Sequence, residues 1–498
     1  MIYIYLISGL FIGWTLGANN IGTIFGAAVT TRMIKFRQAA LIASIFYFLG
    51  AVFEGSGPSG TLGKLGSVDA LGGAFTVALA AALIVLAVVR TGIPISISQS
   101  IVGALVAWNF FSGRLTDYHS LITIMSSWVV SFVASALFAA LLFHLVRRWV
   151  NRSKRHLLEQ DMITRWLLVV FGALGSYFLG ANTIASAVGV FVPVTPFPDL
   201  SLGPVMISGV QMLYALGALS VVVGIYTFSH RVMGTVGKDI FHLSPVTALV
   251  ALIAETIVLF MFSSQGLQNL LHWLGLPAIP LVTISSTHVI VGAVTGIGLA
   301  MGGKNIRYSV LGKVSLAWLA APVMAFAFAF VALFITQNVF ELQIHLPLVY
   351  TVDKEAVMEI ERREIDSKGL SFVNLRSFKS EMDLYKELTL DQTYTREEAK
   401  QIISICEVHP LQVNMELLEK RGLDRRLSPA QVQALQKLEE QRFNRRWELA
   451  QALAQDESWQ GIPQPKSPAQ EAQNSRLEGE LDLLYKVFYL PAEADAGK

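Results

Sequence analysis

The chain has 498 residues, 53% of them hydrophobic and 15% charged, with a formal net charge of +2 and a single cysteine. Of its 38 Lys/Arg and 36 Asp/Glu, only 17 and 9 fall in the first 343 positions, which makes that region too apolar for a water-soluble domain of its size. The charge pattern gives no footing for nucleic-acid binding, and Cys406 alone cannot form an intrachain disulfide.

Ile2 to Val29 lacks the basic leader and small-residue cleavage site of a secretory signal and is read as the first membrane segment. Apolar runs follow at Ala70 to Val89, Leu121 to Val146, Leu167 to Phe178 with its continuation, Val205 to Thr227, Pro245 to Phe262 and Val314 to Ile335. Each reaches or approaches the roughly 20 residues that cross hydrocarbon as a helix. About ten segments are expected, so the fold class is an all-α polytopic protein, multi-pass in a plasma or inner membrane. Within lipid, backbone groups are satisfied inside helices, and any broken helix is sheltered by protein or faces a cavity.

Basic residues set an orientation. Arg32, Lys35 and Arg37 follow the first segment; Arg147, Arg148, Arg152, Lys154, Arg155 and Arg165 lie mid-chain; Arg231, Lys238, Lys304, Arg307 and Lys313 mark later loops. Five crossings per half bring these clusters to one side, the cytoplasmic one, with Arg114 and Lys64 as exceptions.

The halves repeat. Gly17-Ala18-Asn19-Asn20 matches Gly180-Ala181-Asn182-Thr183, Gly60 to Lys64 matches Gly234 to Lys238, and Ser96 to Ala104 matches Ser285 to Ala293, in the same order. The glycine pairs Gly60 to Lys64 and Gly234 to Lys238 read as turns at helix ends. An odd number of crossings per half inverts the second, the arrangement in which two bundles rock about a central site. The predicted organisation is a first membrane repeat over 1–150, a basic cytoplasmic connector over 151–165, a second repeat over 166–343, a helical soluble domain over 344–460, a flexible linker over 461–475 and a C-terminal helix and tail over 476–498.

The polar residues of the repeats are mostly uncharged. Asn19, Asn20, Thr23, Ser96, Ser98, Gln99, Asn182, Thr183, Ser286 and Thr287 offer donors to oxyanion oxygens and acceptors to a small cation, with sodium expected near Asn19 and Asn182. Helix N-termini exposed by an interruption add free N–H groups. Taken singly, such hydroxyls also serve helix packing. Glu54 and Glu255 border or interrupt apolar runs, where an unpaired carboxylate is costly; with His288 they are candidates for coupling to a proton or sodium ion. The remaining histidines lack metal-ligand spacing, no further cofactor is expected, and the chain is not read as an enzyme.

These motifs, with Gly237-Lys238-Asp239-Ile240 and the run from Pro94 to Ala104, resemble those of the inorganic phosphate transporter family, which also contains sulfate permeases. The resemblance covers roughly Leu6 to Ile335. It implies that Asn19, Asn182, Ser96, Ser98, Ser286 and Thr287 surround a central anion and its coupling cation. The family's repeat opening is Gly-Ala-Asn-Asp; here Asn20 and Thr183 stand at the acidic positions, and Gln99 replaces the histidine of the first serine segment. Since sulfate carries no proton for a carboxylate to accept, loss of both aspartates favours sulfate over phosphate. The function expected is import of a tetrahedral oxyanion by alternating access with protons or sodium, with a phosphate permease and an anion channel as alternatives. A homodimer is left open.

The last 155 residues hold 21 Lys/Arg and 27 Asp/Glu and should leave the membrane. Thr395 with Glu398, and Ser428 with Pro429 and Gln431, mark helix starts. Val432, Leu435, Leu438 and Phe443 are expected to give the second of these an apolar side. A final helix is expected from Arg476 to Leu490.

Overall fold

A computed structural model of the chain describes residues 2–90, 95–152, 156–195, 197, 200–202, 205–230, 244–303, 308–370, 376–390, 393–420, 423–424, 426–463 and 468–490. The predicted turn Gly234 to Lys238 with Asp239 and Ile240, and the residues Pro94, Lys154, Arg155, Arg231, Lys304 and Arg307, lie outside the described residues. The chain divides into a membrane unit (Met1–Phe111, Thr116–Phe197 and Gly209–Leu346) and a second unit (Ser112–Leu115, Pro198–Ser208 and Pro347–Lys498).

In the membrane unit, long apolar runs without breakers leave the backbone one way to satisfy itself, the helix. The first half holds α1 (Leu6–Thr30), α2 (Phe36–Glu54), a short α3 (Ser56–Leu65), α4 (Leu71–Val89), α5 (Ile97–Ser112) and α6 (Tyr118–Arg152). The second holds α7 (Leu157–Val188), α8 (Gly209–Thr227), α9 (Pro245–Ser263), a short α10 (Gln265–Trp273), α11 (Ser286–Ala300) and α12 (Tyr308–Asn338). Eight of the described helices are long and apolar enough to span a bilayer, and α5 and α11 are the two shorter apolar ones. Counted together, the described residues hold five apolar helices in each half; five crossings per half would invert the second.

Packing obeys the same symmetry. Helix α1 lies along α8 while α7 lies along α2. Both seams are too close for side chains: Gly17 abuts the Val221 carbonyl and Gly224 that of Trp14, and in the other half Gly180 abuts Tyr47 and Gly50 abuts Tyr177. The matched motifs therefore begin as matched helix contacts.

Tyr5 meets Phe75 at 6.0 Å, Trp108 Nε1 donates to Ile344 O at 2.9 Å and the Leu346 amide donates to Asp69 at 2.9 Å, so the start of α1 and the exit from α12 lie at one end of the unit. Arg32, Lys35, Arg37, Arg90, Arg147, Arg148, Arg152 and Lys313 sit at the other ends of their helices.

Several expectations are corrected. Gly60 to Lys64 is helical within α3, because Leu62 and Leu65 bury and Gly66 ends the helix beyond them. Val205 belongs to a strand (β2, Val205–Ile207) paired with β1 (Leu200–Leu202), and α8 starts only at Gly209, which packs against the Phe197 carbonyl. The basic connector is short: α6 runs to Arg152 and α7 begins at Leu157, capped by His156.

The second unit adds small sheets to its helices. β3 (Val349–Thr351) lies between β4 (Ser377–Phe378) and β5 (Glu407–Val408), and β6 (Leu411–Gln412) pairs with β7 (Arg442–Phe443). Helices α13 (Lys354–Arg362), α14 (Glu381–Thr389) and α15 (Arg396–Cys406) enclose one core around Tyr350, Ile360, Leu384 and Ile403. A second core gathers α16 (Met415–Lys420), α17 (Pro429–Gln436), α18 (Arg446–Leu453) and α19 (Pro468–Val487) around Leu411, Leu435, Trp459 and Phe488. Both predicted capping boxes form, at Thr395 with Glu398 and Ser428 with Gln431. The α17 helix stops at Gln436, and Phe443 lies in β7. The final helix starts at Pro468, inside the predicted linker, because proline suits a first turn whose N–H groups are unpaired. Asn474 from that helix holds both the N–H and carbonyl of Ile462, each at 2.9 Å.

Candidate functional site

Among the described residues, non-helical backbone leads into α5 at Ile95 and Ser96 and into α11 over 276–285. Such chain in a dry environment needs partners for its amides and carbonyls. Asn182 supplies them to the second stretch: its Nδ2 donates to Val282 O at 2.8 Å and its Oδ1 accepts the Ile284 amide at 3.0 Å. In the first, among the described residues, Asn19 Nδ2 donates to Ile95 O at 3.4 Å and to Asn20 Oδ1 at 3.0 Å. Both asparagines, expected around the anion and sodium, thus carry a positioning task.

The helices then start at matched caps. Ser96 Oγ accepts the Gln99 amide at 3.3 Å, and Ser285 Oγ accepts that of His288 at 3.4 Å. One amide per helix is thereby satisfied, and the other first-turn N–H groups have no intrahelical partner. The two starts are brought together by Ser98, whose hydroxyl donates to Ile284 O at 3.3 Å and accepts from Ser186 at 3.2 Å. Two positive helix ends facing each other form a field suited to an oxyanion.

Around this centre, Asn20 holds Thr23 through its carbonyl (2.8 Å), and Thr183 donates to Leu179 O at 2.7 Å while Tyr47 shares a 2.8 Å hydrogen bond with it. Thr287 pairs with Ser285 at 2.7 Å, and Ser286 is buried beside it. The His288 ring stacks on Trp318 with centroids 3.7 Å apart. None of these site residues is more than 8% exposed, so the site is closed to water.

Four polar groups here find no hydrogen-bond partner among the described residues: Gln99 Oε1, Thr283 Oγ1, His288 Nδ1 and both oxygens of Glu255. Glu255, halfway along α9, faces Thr23, whose proton is already given to Asn20 O. Glu54 sits differently, half-buried at the end of α2, where its carboxylate accepts the Gln265 amide at the start of α10 (3.1 Å). Sequence reasoning missed Tyr47 and Thr283. Tyr47 carried a weak signal, a phenol in an Ala- and Gly-rich helix; Thr283 carried none.

A multi-pass helical bundle with a closed polar centre between the starts of α5 and α11 suits a membrane carrier for a small solute. The chain matches the profile of the Phosphate transporter family over residues 16–164, 152–268 and 268–455, and it belongs to that family. It is 26% identical over 400 residues to a protein named as a phosphate permease in Pyrococcus horikoshii, covering 65% of this chain and 95% of that one. The inorganic phosphate transporter 2-1, chloroplastic, of Arabidopsis thaliana is 23% identical over 429 residues, covering 65% and 70%. A solved structure titled the sodium-dependent phosphate transporter shares the fold, with a TM-score of 0.54, 22% identity, and coverage of 68% of this chain and 98% of that one. The chain is thus a multi-pass membrane protein of an anion-transporting family, and its relatives are named as permeases and transporters, not enzymes.

Proposed function

We propose that this chain is an inorganic phosphate permease that carries its anion between the N-termini of α5 and α11. The observation that carries the choice of anion is the unpaired Gln99 Oε1 in the first turn of α5. Hydrogenphosphate has an O–H to give it; sulfate has none and would leave a buried acceptor unmatched, at a cost of about 1–3 kcal/mol. The expectation of sulfate rested on the lost aspartates, and Gln99 supplies the acceptor they would have provided. The names of the relatives favour the same anion.

Coupling is assigned to Glu255. A bare carboxylate at the centre of a bundle needs a proton or a cation, and the charge of an entering anion needs compensation of about 2.3 kcal/mol per charge at 100 mV. Glu54 has a backbone partner and a more exposed place. His288 remains in the site as a neighbour whose Nδ1 can serve the anion.

Purified protein in sealed vesicles tests both points with labelled phosphate and sulfate under separate pH and sodium gradients. Phosphate uptake driven by an inward proton gradient is the expected result. Replacing Gln99 by Met should cut the phosphate-to-sulfate preference about 5- to 150-fold, the ratio equivalent to the 1–3 kcal/mol above. Sulfate uptake that phosphate fails to inhibit contradicts the reading.

A further inference from the structure

The chain between α10 and α11 is a strap held from outside. Helix α10 ends at Gly275, whose φ of +69° lets the amides of Gly275 and Leu276 turn back to the carbonyls of His272 and Leu271, at 3.0 and 2.9 Å. Pro277 and Pro280 then keep the chain from resuming a helix, and it runs non-helically to Ser285. Its polar groups therefore need partners from elsewhere in the fold. The Val282 amide donates to Phe262 O of α9 at 3.3 Å, Asn182 of α7 holds Val282 O and the Ile284 amide, and Ser98 of α5 donates to Ile284 O.

One further grip comes from α3. Thr61 Oγ1 donates to Leu281 O at 2.6 Å, and Gly57, one turn earlier, lies so close to the Leu281 side chain that a Cβ there would stand 2.7 Å from Leu281 Cδ1. The beginning of the same connection is tied down by the same region. Glu54, at the end of α2, accepts the first amide of α10, that of Gln265, at 3.1 Å, and Gln265 Nε2 donates to Ser56 Oγ at 2.8 Å. The positive end of α10 is a favourable place for that carboxylate. Residues of the first half thus fix a connection of the second at both ends. Leu281 is joined to the Ser285 cap by only about 13 Å of extended chain, so a shift at Leu281 is passed to the residues that Asn182 and Ser98 hold. We infer that Thr61 and Glu54 are positioning residues, which hold the strap and, through it, the start of α11 in register with the start of α5. Glu54 then has a task separate from coupling, and the short α3 serves as a strut for the anion site.

This inference rests on the permease reading only for its transport arm. The full-length protein is compared with Thr61→Val, Thr61→Ser, Glu54→Ala and Glu54→Gln by amide hydrogen exchange in peptides covering 265–285 and 396–406, and by uptake of labelled phosphate. Thr61→Val removes the donor at nearly constant volume and should raise exchange in 265–285 about fivefold while leaving 396–406 unchanged. The KM for phosphate should rise several-fold, with a smaller effect on kcat. Thr61→Ser returns the hydroxyl and should restore both readings. Glu54→Ala should loosen the same peptide, whereas Glu54→Gln keeps an acceptor for the Gln265 amide and should retain wild-type exchange, KM and gradient-driven accumulation. Unchanged exchange in both Thr61→Val and Glu54→Ala overturns the inference, and so does faster exchange with an unchanged KM, which would confine these residues to stability. Loss of gradient-driven accumulation in Glu54→Gln would assign Glu54 to coupling and overturn its part. If Thr61→Val fails to fold, Glu54→Ala, at a half-buried position, carries the same readings. An absence of uptake in the wild type would instead count against the permease, with the exchange arm still deciding the strap.

Discussion

The two halves of the membrane unit share a backbone plan and differ in the chemistry hung on it. Each opens with a Gly-Ala-Asn helix packed through glycine on a helix of the other half, and each breaks before a serine-capped short helix. Yet Gln99 stands where the other half has His288, and Glu255 in α9 has an alanine, Ala81, at the matching place in α4. Duplication supplies the cradle, and single-copy changes supply recognition and coupling. A symmetric frame thereby holds an asymmetric reaction.

The sharpest way to break that comparison is at Glu255. Glu255→Gln should lower gradient-driven accumulation roughly a thousandfold, mid-range for the loss of a proton-transfer group, while exchange of phosphate for phosphate persists. Vesicle uptake measured against counterflow separates the two, and equal loss of both would remove Glu255 from coupling.

The second unit should titrate in its own right, at a buried histidine. Burial pushes the His409 imidazole down to about 4 despite Glu407 at 3.7 Å. A lowered folded-state value means that the neutral ring stabilises the unit above the ordinary value near 6.5 and that this stability is lost as pH falls toward 4. The size is on the order of 3 kcal/mol at most. Acid unfolding followed by tryptophan fluorescence in wild type and His409→Phe should show that dependence in the first and little of it in the second.

A smaller effect belongs to Asn182. Asn182→Ala orphans the Ile284 amide and should destabilise the protein by about 1–3 kcal/mol. Thermal unfolding in detergent measures the loss, and an unchanged midpoint would contradict it.

Much of the frame was legible in the sequence because hydrophobicity and repeated motifs report on membrane helices without tertiary knowledge. The apolar runs, the paired openings and the two capping boxes of the C-terminal unit all reflect local or periodic physics. What stayed hidden depended on contacts between distant residues. Asn19 and Asn182 read as ligands from their amide donors and from the family resemblance, and only the fold reveals the backbone carbonyls of Ile95 and Val282 that they hold. The Gly60 to Lys64 run read as a turn because its two glycines lower helix propensity; burial of Leu62 and Leu65 overrides that. Gln99 looked like a lost histidine, and its unpaired oxygen became informative only once its surroundings were dry.

The most direct test of the account is a structure of the protein with arsenate, a phosphate mimic whose anomalous signal marks its position. The account predicts one anion within hydrogen-bond reach of the first-turn amides of α5 and α11, beside Gln99. An anion bound elsewhere in a protein that still takes up phosphate would contradict it.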